Sequence, residues 1–109
     1  MINTDFKFGE VHQLLSQVEP AFDKVQFKNI LENANGGVAL VAFKEGQKLD
    51  EHIAPAEVMV CVLEGEVEFT MIDRPNIIKT GQFLLMGQDV KHRVTALKDT
   101  KLLLIKIKP

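Results

Sequence analysis

The sequence contains no tryptophan, no tyrosine and a single cysteine, Cys61. One cysteine excludes an intrachain disulfide framework and a zinc site built from cysteine thiolates. Tyrosine and tryptophan are the aromatic residues that carry a hydrogen-bond donor. Without them, an internal pocket must orient a polar ligand through histidine, backbone and a few other polar side chains. Cys61 lies between two valines, so we expect it to behave as a small hydrophobic residue.

The chain also lacks a strong charge of either sign. Its 13 Lys and Arg stand against 15 Asp and Glu, and the formal net charge is −2. A dedicated nucleic-acid-binding domain is strongly basic, so we expect no nucleic-acid partner. No apolar stretch reaches the roughly 18 residues that span a bilayer, and residues 1–9 lack the apolar centre of a signal peptide. We therefore expect a cytoplasmic protein without a membrane partner.

One stretch near the N-terminus has the spacing of a helix. Apolar residues recur there at the i, i+3, i+4 and i+7 positions of one helix face, and Pro20 follows them. The stripe predicts a short helix over residues 9–18: Val11, Leu14, Leu15 and Val18. We expect residues 1–23 to form this helix and a covering segment.

Residues 24–109 have the pattern of short strands. Turn signals recur about every ten residues, which is typical of an all-β sandwich or barrel. The predicted strands are residues 25–30, 38–43, 57–63, 66–72, 77–79, 83–86, 92–97 and 101–108, and the predicted turns include residues 46–51 and 73–76. The 109 residues, 46% of them hydrophobic, fit a single domain with residues 24–109 as its barrel.

The apolar run at residues 58–63 does not alternate as a strand with one solvent-exposed face would. It therefore predicts burial on both faces. One face can line a barrel interior, and the other needs a cover. Either the N-terminal segment or a second subunit could supply that cover, and we favour a homodimer.

Two of the three histidines lie beside predicted turns that precede strands. His52 follows the polar turn at residues 46–51, and His92 begins a late strand after a second glycine-containing turn. A barrel can bring two such positions together across its interior. Imidazoles placed there could bind a metal, transfer a proton or hydrogen-bond a ligand.

The spacing of these histidines resembles the first sequence motif of the small single-domain cupins. That motif runs from a glycine through His-x-His and a glutamate to a second glycine. The matching positions here are Gly46, His52, Ala54, Glu57 and Gly65.

The second cupin motif runs from a glycine through Pro-x-Gly to a histidine. The matching stretch here runs from Gly81 through Gly87 to His92. The resemblance covers most of the chain. It implies a double-stranded β-helix, which is a jelly-roll barrel of two packed sheets with a pocket inside, preceded by the short N-terminal helix.

The departures from the cupin motifs bear on function. Cupins of this kind hold a divalent metal with up to four side chains, and Ala54 replaces the second histidine. Counting six residues on from His52 gives Val58, whereas Glu57 is one residue early. Side chains alternate faces along a strand, so Glu57 faces inward only if the strand is bulged near Pro55. Otherwise the ligand set falls to His52 and His92.

Three functions remain open at this stage, and so does the question of whether the protein is an enzyme. The first is binding of a small, partly apolar molecule without the full metal site, in a pocket that includes His52, His92, Phe69 and Phe83. The alternative is a cupin dioxygenase or isomerase that holds Fe, Mn, Ni or Zn through His52, Glu57 and His92. Metal-free acid–base catalysis by a histidine, as in cupin sugar-nucleotide epimerases, is the least favoured because the expected partner residues are not found.

Overall fold

Two packed β-sheets make up most of the molecule, which is described by a computed structural model covering residues 2–109. These residues form nine strands: β1 Gln26–Asn33, β2 Gly36–Phe43, β3 Lys48–Ile53, β4 Glu57–Glu64, β5 Glu66–Met71, β6 Arg74–Lys79, β7 Phe83–Met86, β8 Lys91–Ala96 and β9 Thr100–Ile107. The prediction of an all-β fold is confirmed. Among residues 2–109, no helix is long and apolar enough to cross a membrane.

The strands pair across the chain rather than only with their neighbours in sequence. One sheet has the order β1-β2-β9-β4-β7 and the other the order β3-β8-β5-β6, and every pairing is antiparallel. The buried core lies between the two sheets. Its central side chains come from both inner faces and include Val41, Val60, Phe69, Val94 and Leu102.

The predicted helix over residues 9–18 is wrong. The chain forms only a 3-10 turn there, Leu15–Gln17. Of the four apolar residues in the stripe, only Val18 is buried, while Val11 is 98% exposed. Because most of the stripe has no core to pack against, two turns of helix gain little from burial, and isolated helices of that length are marginal in water.

The N-terminal segment nevertheless covers part of the five-stranded sheet. Val18 packs on its outer face against Leu40 and Ala42. The ammonium group of Lys101, buried on the same face, donates to the carbonyl oxygen of Leu15 and lies 3.2 Å from a carboxylate oxygen of Glu19. These contacts hold the segment against strands β2 and β9.

The predicted turn at residues 46–51 is also wrong, because most of it belongs to strand β3. This strand is an edge of its sheet and is almost wholly exposed, so polar residues are tolerated on both faces and the apolar alternation of a buried strand is missing. Pro75, predicted within a turn, lies in strand β6. That strand is the opposite edge of the same sheet, where a residue without an N–H group is tolerated.

Strand β4 has one fully buried face and one partly covered face. Val58, Val60 and Val62 point into the core, whereas Met59 and Cys61 are half-buried. The N-terminal segment does not cover this second half of the outer face. We call the uncovered region the outer patch, and it consists of Met59, Cys61, Phe83, Leu85, Ile105 and Ile107.

Candidate functional site

A cavity of about 270 Å³ opens between the two sheets at one end of the sandwich. Its inner walls are apolar, and the deepest side chains are Val41, Val60, Phe69 and Leu102, which are all nearly inaccessible to solvent. Polar side chains converge on the same space from strands β3, β8 and β9. An apolar cavity with a few convergent polar groups is the usual form of a small-molecule site.

Two histidines meet in this cavity. His52 and His92 are direct cross-strand partners on β3 and β8, so their side chains leave the sheet on the same face. Their ring centroids lie 3.9 Å apart at an interplanar angle of 60°. His92 is buried, whereas His52 is exposed at the mouth of the cavity.

Both rings are oriented by the backbone carbonyl two residues before them. The Nδ1–H group of His92 donates to the carbonyl oxygen of Val90 at 2.9 Å, and that of His52 donates to Asp50 at 2.8 Å. A carbonyl oxygen only accepts, so Nδ1 carries the proton in each ring and Nε2 carries the lone pair of the neutral form. His92 also stacks on Phe69 at a centroid distance of 5.4 Å.

His92 is held in its neutral form. Burial lowers the pKa of His92 below its ordinary value of 6.5, and the Coulombic interactions with His52 and Lys106 lower it further, against the opposing effect of the hydrogen bond to Val90. The neutral ring can accept a hydrogen bond at Nε2 while its Nδ1–H group is held by Val90, so it suits recognition of a hydrogen-bond donor in an apolar space.

Glu57 does not join the two histidines. Val58 lines the cavity, and the pairing of β4 with β9 runs from Glu57 to Val62 without a bulge. Glu57 therefore faces the outer side of the sheet, where it borders a groove together with Met59 and Leu85. Of the two registers that the sequence left open, the structure has the unbulged one.

The donor set does not fit the metal site that the fold implies. Ala54 lines the cavity at the position of the second histidine, Val58 lines it at the next ligand position, and Glu57 lies on the other face. Within residues 2–109, no group of three or more His, Cys, Asp or Glu side chains is placed to hold a metal ion. Two imidazoles alone are a weak and unselective ligand set.

The two phenylalanines predicted for the pocket have different positions. Phe69 lies under the histidine pair at the base of the cavity. Phe83 is on the outer face of β7, 58% exposed, because it pairs with Cys61 and shares its direction. The register of β4 with β7 excludes Phe83 from the cavity.

Among the cavity residues that were not predicted from the sequence are Phe27, Lys106 and Lys108. Lys106 follows Leu102 and Leu104 at every second position of β9, so strand alternation places these three on the inner face, and Lys108 continues the spacing just beyond the strand. That alternation was visible in the sequence, but it does not say which end of the barrel is open. The lysines lie where the inner face reaches solvent.

Comparison with known proteins identifies the fold family. A family model described as a cupin domain matches residues 39–108, which is more than half of the chain. The chain therefore belongs to the cupin family, and the jelly-roll fold that the sequence motifs implied is confirmed.

Solved structures agree with this assignment. A conserved protein of unknown function from Streptococcus pyogenes superposes with a TM-score of 0.88 at 24% identity, over 99% of this chain and 94% of that one. An RmlC-like cupin from Desulfovibrio desulfuricans superposes with a TM-score of 0.80 at 29% identity, over 90% of this chain and 95% of that one.

A curated protein from Streptomyces halstedii, Protein SchB, is similar to part of the chain. The two are 41% identical over 58 residues, which are 52% of this chain. The match spans 41% of the length of SchB.

Proposed function

We propose that this cupin binds a small, partly apolar molecule in its cavity, with His52 and His92 as polar contacts and without a complete metal site. The observation that carries the proposal is the pairing of two backbone-oriented imidazoles over an apolar base in a cavity of about 270 Å³. Ligand pockets usually measure roughly 300–1,000 Å³, so this cavity suits a small molecule. The alternative of a metal-dependent enzyme loses its third ligand, because Glu57 faces away from the histidines.

The apolar part of the ligand would lie against the inner valines and leucines. Val60 and Leu102 are each about 1% exposed, so their contribution to the cavity wall is dry. Moving the apolar surface of a ligand out of water and onto this wall is favoured by roughly 25 cal/mol per Å² of buried area. The polar part would then meet the neutral ring of His92, which offers a hydrogen-bond acceptor at Nε2.

The experiment is a binding titration with neutral fragments of about ten heavy atoms, 4-phenylbutanamide among them, a size suited to a pocket at the small end of the usual range. We expect shifts in the methyl NMR signals of Val58, Val60 and Met86, which line the cavity. Ala54→Phe should abolish these shifts by filling the mouth. Ala34→Phe, the same change in the exposed turn between β1 and β2, should not.

Two results would contradict the proposal. Shifts confined to the outer patch would place the binding site elsewhere, and the absence of any shift across the fragment panel would show that the cavity does not take such molecules. An unchanged spectrum of Ala54→Phe outside the cavity confirms that this variant is folded.

We also propose that a second copy of this chain covers the outer patch. The patch is apolar and continuous across β7, β4 and β9, and its side chains carry no charge that a partner would have to match. A two-fold axis through the patch would bury it against itself, as in an isologous dimer. Leu85 and Ile107, 69% and 63% exposed, would gain most from this burial.

The dimer is tested by sedimentation velocity. We expect the wild-type chain to sediment as a dimer and Leu85→Lys as a monomer, because a charge at the centre of an apolar interface is left without a partner. Ile72→Lys is the matched control, since Ile72 is 79% exposed beside the β5–β6 turn of the other sheet. A wild-type monomer at every concentration, or a dimer that Leu85→Lys leaves intact, would contradict the proposal.

A further inference from the structure

The titratable side chains that line the cavity are all basic. Its titratable lining consists of His52, His92, Lys106 and Lys108, and none of the described residues that line it is Asp or Glu. The protein as a whole carries a formal net charge of −2, so this collection of basic groups is not a consequence of composition. It marks the mouth of the cavity as a cationic site in an acidic protein.

Lys106 borders the cavity at its mouth, from the inner face of the five-stranded sheet. It pairs with Val58 on one side and with Gly37 on the other, and Val58 is a cavity-lining residue on the inner face of the same sheet. Its charge is felt by the buried histidine, because it is one of the causes that lower the pKa of His92. Lys106, which is exposed, and the two histidines therefore border the same cavity.

Neither cavity lysine has a carboxylate partner within residues 2–109. Ion pairs of 4.0 Å or less are formed by Lys7, Lys28, Lys44, Lys98 and Lys101, but not by Lys106 or Lys108. A cation beside an apolar cavity and next to a second basic group is unfavourable in the empty site. An anion from the ligand would relieve this repulsion as well as adding its own attraction.

We propose, on the basis of the function proposed above, that the ligand carries a carboxylate, which the Lys106 ammonium group binds at the mouth while the apolar body of the ligand enters the cavity. The lining contains no arginine, the residue whose planar fork favours bidentate binding of phosphate groups. One ammonium group, a compact point charge, instead suits a single carboxylate.

Three ligands of matched shape test this proposal: 4-phenylbutanoate, 4-phenylbutanamide and 4-phenylbutylamine. We expect the carboxylate to bind about tenfold or more tightly than the amide, and the amine more weakly than the amide, since charge-assisted hydrogen bonds exceed neutral ones. Titrations followed by methyl NMR give all three dissociation constants at pH 7.

Variants then test whether Lys106 causes the difference in affinity between the carboxylate and the amide. Lys106→Met keeps the aliphatic stem, so it should remove the preference for the carboxylate over the amide while leaving amide binding within about twofold. Lys91→Met is the matched control, because Lys91 flanks His92 on β8 but is exposed and does not line the cavity. It should leave the preference unchanged.

The outcomes separate this inference from the function on which it rests. If the amide binds in the cavity and the carboxylate binds no more tightly, the carboxylate assignment is wrong and the small-molecule function stands. If the preference survives in Lys106→Met, another group recognises the anion and the role of Lys106 is wrong. If none of the three ligands shifts the cavity methyl signals, the proposed function itself fails.

Discussion

Gly65→Ala is expected to lower the free energy of unfolding by roughly 3 kcal/mol or more, because strain and overpacking add at this position. Gly65 joins β4 to β5 with φ +101°, a conformation that L-residues rarely adopt. A Cβ atom there would meet the carbonyl oxygen of Asp99 and both the hydroxyl and the Cα atom of Thr100. Thr100 is itself buried and accepts a hydrogen bond from the Glu66 N–H group, so it has no room to withdraw.

Gly46→Ala is the matched control for this prediction. Gly46 has φ +87°, but a Cβ atom there would have no other atom within 4 Å. Only the conformational cost of about 1–2 kcal/mol therefore applies. Chemical denaturation followed by far-UV circular dichroism measures both variants, since the chain has no tryptophan to report by fluorescence. Equal losses for the two variants would show that the contact with the Asp99–Thr100 turn does not matter.

Both glycines belong to the first cupin motif, yet the structure separates their roles. Gly65 is required by backbone conformation and by the close approach of another turn. Gly46 is required by conformation alone. The sequence motif indicates that a glycine occurs at each position, but it contains no information about what lies opposite, because the Asp99–Thr100 turn is 34 residues further along the chain from Gly65.

The parts of the fold that were predictable are those in which burial imposes a simple pattern. Residues 83–86 were predicted as a strand and form β7 with the same bounds. The inward direction of Val58 followed from strand alternation, and with it the outward direction of Glu57. A core-facing strand must present apolar groups to the core at every second position. Its sequence therefore indicates which residues face inward.

The wrong predictions of secondary structure concern segments whose side chains face solvent rather than the core. Strand β3 was taken for a turn because Lys48, Asp50 and Glu51 are exposed on a sheet edge, where polar residues are favoured whatever the backbone does. The helix over residues 9–18 was predicted from a stripe of which only Val18 reaches the core. In both cases the tertiary environment, and not the local pattern, decides the secondary structure.

The sequence predicted some residues of the candidate site and missed others. The meeting of His52 and His92 followed from the motif spacing, and the structure brings their rings together. The contribution of Lys106 did not follow, because a basic residue near a strand end usually indicates a solvated terminus. Recognising it requires knowing that β9 runs between β2 and β4 and that its inner face ends at an open cavity.

Acidification is expected to destabilise the protein through His92. Its pKa in the folded chain lies below the ordinary 6.5 of the unfolded chain, chiefly because burial penalises the charged ring. Above pH 6.5 both states are neutral at this residue. As the pH falls through 6.5, the unfolded state binds a proton before the folded state does, so the free energy of unfolding falls until the folded pKa is passed. The loss is about 1.4 kcal/mol for each unit by which the two pKa values differ.

The measurement is the free energy of unfolding between about pH 5.5 and pH 8, a range in which histidine is the side chain that normally titrates. The charged groups that face His92 are His52 on β3 and Lys106 on β9, and both oppose its protonation. Asp99, whose pKa is lowered by hydrogen bonds from Glu45 and Lys44, loses its contribution only below 3.8, outside this range. The expected decline therefore belongs to His92.

His92→Asn should reduce this decline, because the amide can still donate to the carbonyl oxygen of Val90 but does not titrate. Val94→Ala, a cavity-forming change in the buried part of the same strand, is the matched control. It should lower stability by a similar amount at every pH and leave the slope unchanged. A His92→Asn variant with the wild-type slope would show that protons bind elsewhere during unfolding, and the argument that burial keeps this imidazole neutral for ligand recognition would then be wrong.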